Sequence, residues 1–318
     1  MLRYLLEKIL SALFVLWAAF TASFGLLYVL PSDAVAIKVQ GLEHATVDPI
    51  EVQQLRAQFG LDGPWWQQYL RLLWHALHGN LGISVQTGAP VADMVGHALP
   101  NTASIAVAGL VLAVVFGTAL ALAAAYAEWK PLRRALLQTP AMAISVPPFW
   151  LGLMLIHLVS FRWRVLPAFG DQGLRSVVLP AITIAVPTAA VIAQVLGRSL
   201  RTAMAAPYAD TARAKGASRA RVVLRHAFRN ATMPAITTTG LIAGSLLVET
   251  VTVETVFSRA GIGRLTATAV ANQDVPVVLG VVLFAAFVFV LVNLLVDLVH
   301  PLVDPRVVSR SRLREMEA

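Results

Sequence analysis

The sequence predicts an all-α polytopic membrane protein with six transmembrane helices, and three observations carry that prediction. Mean hydropathy is +0.72 and only 13% of the residues are charged, against roughly a quarter in soluble domains. Uncharged runs long enough to cross a bilayer recur through most of the 318 residues, so one membrane domain over 1–318 fits better than two soluble ones. Lys and Arg gather in alternate connections between these runs, as cytoplasmic loops require. The net charge of +8 therefore belongs to membrane orientation and not to nucleic acid. With no cysteine in the chain, disulfides and thiolate metal sites are excluded.

Ile9 to Leu30 gives twenty-two consecutive uncharged residues, enough at about 1.5 Å per residue to cross a hydrocarbon core of about 30 Å. Arg3 and Lys8 precede it, and Ala34-Val35-Ala36 follows, so a cleaved signal peptide is the alternative. The run exceeds a signal h-region of about 7–15 residues, which favours a retained span. Residues 31–100 are polar and mixed, with Pro31, Pro49, Pro64 and Pro90 between short amphipathic stretches, and read as a folded extramembrane insert. Trp66, Tyr69 and Trp74 fall near one helical face, which suits interfacial anchoring or ligand stacking.

Asn101–Ala127 and Ala135–Phe161 form the second and third spans, joined by a short turn bearing Glu128, Lys130, Arg133 and Arg134. Ser176–Gly197 is the fourth, Met233–Phe257 the fifth and Val275–Val296 the sixth. Pro140, Pro147-Pro148, Pro180 and Pro187 should kink the middle spans, either around a cavity or simply in packing. Six spans place both termini, the 128–135 turn and the 198–229 loop on one side. That side holds most of the basic residues, so the termini are expected in the cytoplasm and the 31–100 insert outside.

The basic segment from Pro207 to Pro234 is the most distinctive stretch. Pro207 suits the first turn of a helix over Tyr208–Lys215. Gly216 should stop that helix, and Ser218 should cap a second one running toward Asn230. There Val222, Val223, Ala227 and Phe228 oppose Arg219, Arg221, Arg225 and Arg229. Such a loop can lie on anionic lipid or dock a soluble partner. The small residues Ala209, Ala212, Ala214, Gly216 and Ala217 favour docking, because they let another backbone approach closely.

TARAKGAS and RHAFRNATMP within this segment resemble the cytoplasmic EAA loop of ABC importer permeases, in the form found in the dipeptide, oligopeptide and nickel permease family. Asp210 stands where the general motif has Glu, Ala212 matches a motif alanine and Gly216 the motif glycine. The likeness extends along nearly the whole chain. LPSDA, FGLDGPWWQQY, GNLGISV and LPNTASI are similar to the family's insert region, and PPFWLGL, VLPAFG and VLPAITIAVP to its middle spans. VETVFSRAGIGRL and LVNLLVDLVHPLVDPR are similar to its last two spans. LPSDA departs from the family's LPGDP at Ser32 and Ala34.

The resemblance implies a type I importer permease fold with an external insert after the first helix, in the inner membrane of a bacterium. It implies a cytoplasmic coupling loop over 207–230, with Tyr208, Ala209, Asp210, Ala212, Arg213, Lys215, Gly216 and Ala217 making the ATPase contact. The implied partners are a homologous permease, two ATPase subunits and an extracytoplasmic solute-binding protein. The four lysines all lie outside a G-x-x-x-x-G-K-[ST] pattern, so phosphates are not cradled by that device. The chain is therefore expected to bind no cofactor and to be no enzyme, with ATP and Mg on the partner ATPases.

Four residues are candidates for the translocation path. Glu249 lies in or at the edge of the fifth span, where a charge is costly unless it faces water or a partner; pairing with an arginine or protonation at the interface is the structural alternative. His157 in the third span is a path candidate or a hydrogen-bonded core residue. Glu254 is expected near the outer mouth, and Asp33 either orders the insert or meets a delivered substrate. A different class of function stays open at this level: an ion-coupled secondary transporter or channel using Glu249 and His157 as a proton relay. A pathless, lipid-anchored membrane scaffold is a third reading.

Overall fold

The computed structural model describes residues 2–29, 64–171 and 173–303. Asp33 lies outside them, as does the Ile50–Phe59 stretch. The described residues form helices and connecting turns, with one isolated bridge between Ile83 and Pro90. Helix α1 (Leu2–Phe24) runs on as a π-turn over Gly25–Val29, and α2 (Trp65–Leu77) and α3 (Val91–Tyr126) follow. Next come α4 (Lys130–Ile144) and α5 (Pro148–Leu155), the latter extended by a π-turn over Ile156–Arg162. Then come α6 (Val178–Met204), α7 (Pro207–Ala214), α8 (Phe228–Val256), α9 (Ile262–Ala271) and α10 (Val275–Val303).

Among the described residues four stretches are unbroken, long and apolar enough to span a membrane: Lys8–Tyr28, Val91–Tyr126, Leu174–Met204 and Val275–Leu295. Two more are bent pairs, Lys130–Ile144 with Pro148–Arg162 at 99° and Arg219–Leu246 with Val248–Val256 at 56°. Each pair counted as one span makes six, the predicted number.

The third span differs from its expected form, because it is broken and not merely kinked. Pro147 sits in extended backbone (φ −61°, ψ 132°) and Pro148 opens α5. A proline disfavours the α conformation for the residue before it, and at Pro147-Pro148 this restriction falls on a residue whose own φ is fixed by a ring, so one helix ends and another starts. Single prolines behave otherwise: Pro100, Pro140, Pro187 and Pro234 remain inside helices. The second span also begins ten residues before the predicted Asn101. Its early start is explained by Val91, Val95 and Ala98, spaced along one helical face and buried with Ile262, Ala269, Val277 and Val281.

The chain divides into two compact units. The first comprises Met1–Thr102 and Arg259–Val290. Here Tyr69 of α2 packs edge-on to Phe20 and Phe24 of α1, with ring centroids 5.3 Å from each, and its hydroxyl meets Thr21 Oγ1 at 2.9 Å. The predicted aromatic face is thus split. Tyr69 shares its side with Leu72, Leu73 and Ala76 and turns inward, whereas Trp65, Trp66 and Trp74 stay exposed. A second tie lies at Asp274, just before α10. Its carboxyl accepts hydrogen bonds from Ser84 Oγ (2.5 Å) and from the Val85 and Gln86 amides (3.1 and 3.4 Å), with both Ser84 and Asp274 buried.

The second unit comprises Ala103–Ser258 and Leu291–Ala318. Its organising element is α6, which is buried along much of its length. Gly109, Ala113, Gly117 and Ala121 of α3 recur every four residues and form a smooth stripe against it. A Cβ on Gly117 would sit 2.7 Å from the Ala189 carbonyl oxygen and 3.0 Å from Ile192 Cβ. Helices in membranes come together by such close backbone approach, since lipid offers no hydrophobic drive. On another side Gly152 of α5 brings that helix against Val256 and Phe257.

Candidate coupling surface

The segment expected to contact a partner is a short helix with closed ends. Ala206 is in extended backbone and Pro207 opens α7, where its missing N–H costs nothing. Thr211 Oγ1 donates to the Pro207 carbonyl at 3.1 Å. At the far end Gly216 has φ +81°, its amide reaches Arg213 O at 2.9 Å, and the Ala217 amide reaches Ala212 O at 3.0 Å. This paired closure is a Schellman motif. It explains why the helix stops at the predicted glycine. Ser218 then caps the next turn, its Oγ accepting from the Arg221 amide at 3.4 Å.

Beyond that cap the structure departs from the expected pair of short helices. Arg219–Arg221 passes through a π-turn over Val222–Ala227 directly into α8, with helical backbone at each junction. The second helix does not end near Asn230, because Ala227 and Ala231 are buried with Leu196, Leu200 and Ala203 of α6. The stretch after the Ser218 cap is therefore continuous with a spanning helix, and α7 is attached to it through the Lys215–Ser218 turn. The arginines also divide in use. Arg219 donates to Glu128 Oε1 at 2.9 Å and to the Ala125 carbonyl at 3.1 Å, with its guanidinium 6.0 Å from the Tyr126 ring centroid. That is an internal tie between the loop and the end of α3, which spacing alone does not reveal. Glu128 and Arg219 stand 91 positions apart, and the sequence links them only by the expectation that both lie on the same side of the membrane.

Of the eight residues assigned to the contact, Tyr208, Asp210, Arg213, Lys215 and Gly216 are exposed, and Ala212 and Ala217 are half-buried. Ala209 is a correction. It is fully buried within the chain, so its methyl packs the helix onto its own base and does not face a partner. Asp210 and Arg213 pair at 2.6 Å on the surface, and Arg213 also donates to the Met204 carbonyl at 3.2 Å. A 430 Å³ hollow lies at the foot of this helix, lined in part by Arg198, Thr202, Tyr208 and Asn230.

Among the described residues no hydrogen bond or ion pair joins the path candidates His157 and Glu249. His157 is exposed on the π-turn after α5, which corrects the hydrogen-bonded core reading. Its ring follows the helical stagger set by Ile156, which takes the buried position. Glu249 is exposed on the limb Val248–Val256. Glu254 is fully buried and has interaction partners within the chain. Val253 and Phe257 on the same turns belong to a core cluster.

Comparison with known proteins assigns the fold and the family. Residues 117–309 match the family described as binding-protein-dependent transport system inner membrane component, and residues 1–106 match the corresponding N-terminal family. The dipeptide transport system permease protein DppB of Escherichia coli K12 is 33% identical over 316 residues, covering 90% of this chain and 92% of that protein. The glutathione transport system permease protein GsiC of E. coli O6:H1 is 33% identical over 307 residues, covering 96% and 99%. A probable peptide ABC transporter permease, y4tP of Sinorhizobium fredii, is 33% identical over 312 residues, covering 96% and 98%. Among solved structures, a crystal structure of an amino acid ABC transporter with histidines shares the fold with a TM-score of 0.51 at 15% identity, covering 65% of this chain and 93% of that one. The chain belongs to the binding-protein-dependent inner membrane components, the multi-pass permeases of ABC transport systems.

Proposed function

We propose that the chain is the membrane-spanning subunit of an ATP-driven importer for peptides or similar small solutes. It forms the path with a homologous permease, receives solute from an extracytoplasmic binding protein and is powered by two separate ATPase subunits. ATP and Mg are bound by those partners, and this chain supplies no catalytic residue. Both termini and the 207–230 loop are cytoplasmic, and the 31–100 insert is external, consistent with the placement of basic residues.

The observation that carries the reading is the closed α7 helix, tied by the short Lys215–Ser218 turn to the helical path that runs from Arg219 into α8. A push on the exposed residues Tyr208, Asp210, Arg213, Lys215 and Gly216 passes through a short turn closed by backbone hydrogen bonds into a spanning helix. Relatives of matching length named for dipeptide and glutathione transport support the solute class. Alternating access then follows from ATPase closure moving α7 and, through it, the bent α8 limb that bears Glu249.

Reconstitution tests this. The chain with its permease, ATPase and binding-protein partners should accumulate a labelled dipeptide or glutathione in vesicles only with ATP. Accumulation by the chain alone, driven by an ion gradient, would establish the ion-coupled class instead.

A further inference from the structure

A slot of 270 Å³ opens between α3, α4 and α6. Its walls are Leu120, Leu136, Leu137 and Ala193, and its rim carries Arg198 and Arg201. Along α6 the step from Ala193 to Arg201 is eight residues, about 12 Å of rise, so one end is apolar and the other doubly cationic. Among the described residues neither guanidinium has a hydrogen bond or ion pair. Arg201 lies in the last turn of α6, where a basic residue can serve the helix dipole, yet it reaches no carbonyl there. Lys130, Arg133 and Arg134 open α4, the helix that supplies one wall. Gly197 keeps the floor clear, since a Cβ there would meet nothing within 4 Å.

We propose that this slot binds an anionic phospholipid, with the phosphate on Arg198 and Arg201 and the first methylenes against Leu120, Leu136 and Leu137. The amphiphilic gradient selects the ligand. A free anion would leave the apolar wall wet, and a zwitterionic lipid would bring a cation of its own beside the two arginines. Basic clefts between spanning helices are the usual receptors for such headgroups. The bound lipid would brace α4 against α6 at the end of α6 that leads into α7.

The test uses the assembled transporter, purified in detergent, stripped of lipid and titrated with phosphatidylglycerol or phosphatidylcholine, with bound lipid counted by native mass spectrometry. Wild type should retain phosphatidylglycerol in preference to phosphatidylcholine. Arg198→Gln with Arg201→Gln should weaken phosphatidylglycerol binding about thirty-fold, at about a kilocalorie per charge. Gly197→Leu keeps both arginines and fills the floor, and should lose the same lipid. Co-purification of the partners shows which variants assemble. Unchanged retention in the assembled variants, equal retention of phosphatidylcholine, or displacement by inorganic phosphate at matching concentration would each overturn the proposal. So would an acidic side chain of a partner subunit found seated on the arginines.

Discussion

At Gly216 the backbone takes φ +81°, a region in which a Cβ costs about 1–2 kcal/mol. Nothing lies within 4 Å of a Cβ there, so strain in the Schellman closure, and not a clash within the chain, is what a substitution introduces. Gly216→Leu should abolish ATP-driven uptake while membrane insertion and expression stay normal, and Gly216→Asn, which tolerates this conformation, should keep most of the uptake. Equal uptake in both variants and wild type would remove α7 from the coupling role. Arg219 offers a second residue-scale test. Its pair with Glu128 is exposed and worth little by itself, but the same side chain also satisfies the Ala125 carbonyl. Arg219→Ala should therefore expose the 207–218 segment to protease several-fold faster, and Glu128→Gln should hardly change it. In the first unit, Ser84→Ala removes one of the donors to buried Asp274 and should lower stability by about 1–3 kcal/mol. Thermal unfolding of the purified protein measures this directly.

Among elements, α6 decides how the second unit packs, and the α3 stripe decides how closely it can be approached. Gly117→Leu forces a side chain toward the Ala189 carbonyl and should cost about 1–3 kcal/mol by overpacking, read as loss of folded protein after detergent heating. Gly197→Ala, on open space of the same helix system, should be neutral or slightly stabilising because alanine is the better helix former. The Gly109-Ala113-Gly117-Ala121 spacing was visible in the residues, yet a four-residue repeat of small side chains does not name its partner. Tertiary packing identifies α6 as that partner. The broken third span is a similar case. Pro147-Pro148 signalled an interruption, but a bend of 99° depends on what the two limbs pack against. Gly152 of the second limb does so against Val256 and Phe257.

For the molecule as a whole, the membrane class, the six-span count and the helix-stopping glycine of α7 were legible in the amino-acid sequence. Each rests on short-range physics: hydropathy over about twenty residues, proline and glycine backbone limits, and the bias of basic residues between spans. The family was legible too, because its motifs recur in order along the chain. Side-chain placement was not. Ala209 reads as a small residue open to a partner, but it is buried, and the burial of Glu254 has no signal in its apolar neighbours. His157 reads as a path candidate or a core histidine, and its exposure removes the core reading. A hydrophobic helix shows similar residues on every side, so its pattern does not reveal which face meets protein and which meets lipid or a partner subunit. Composition and local backbone chemistry thus determined what the spans are and where they end. Only the tertiary structure decided which of their faces are used, because that choice depends on contacts between residues far apart in the chain, such as Ser84 with Asp274 and Arg219 with Glu128.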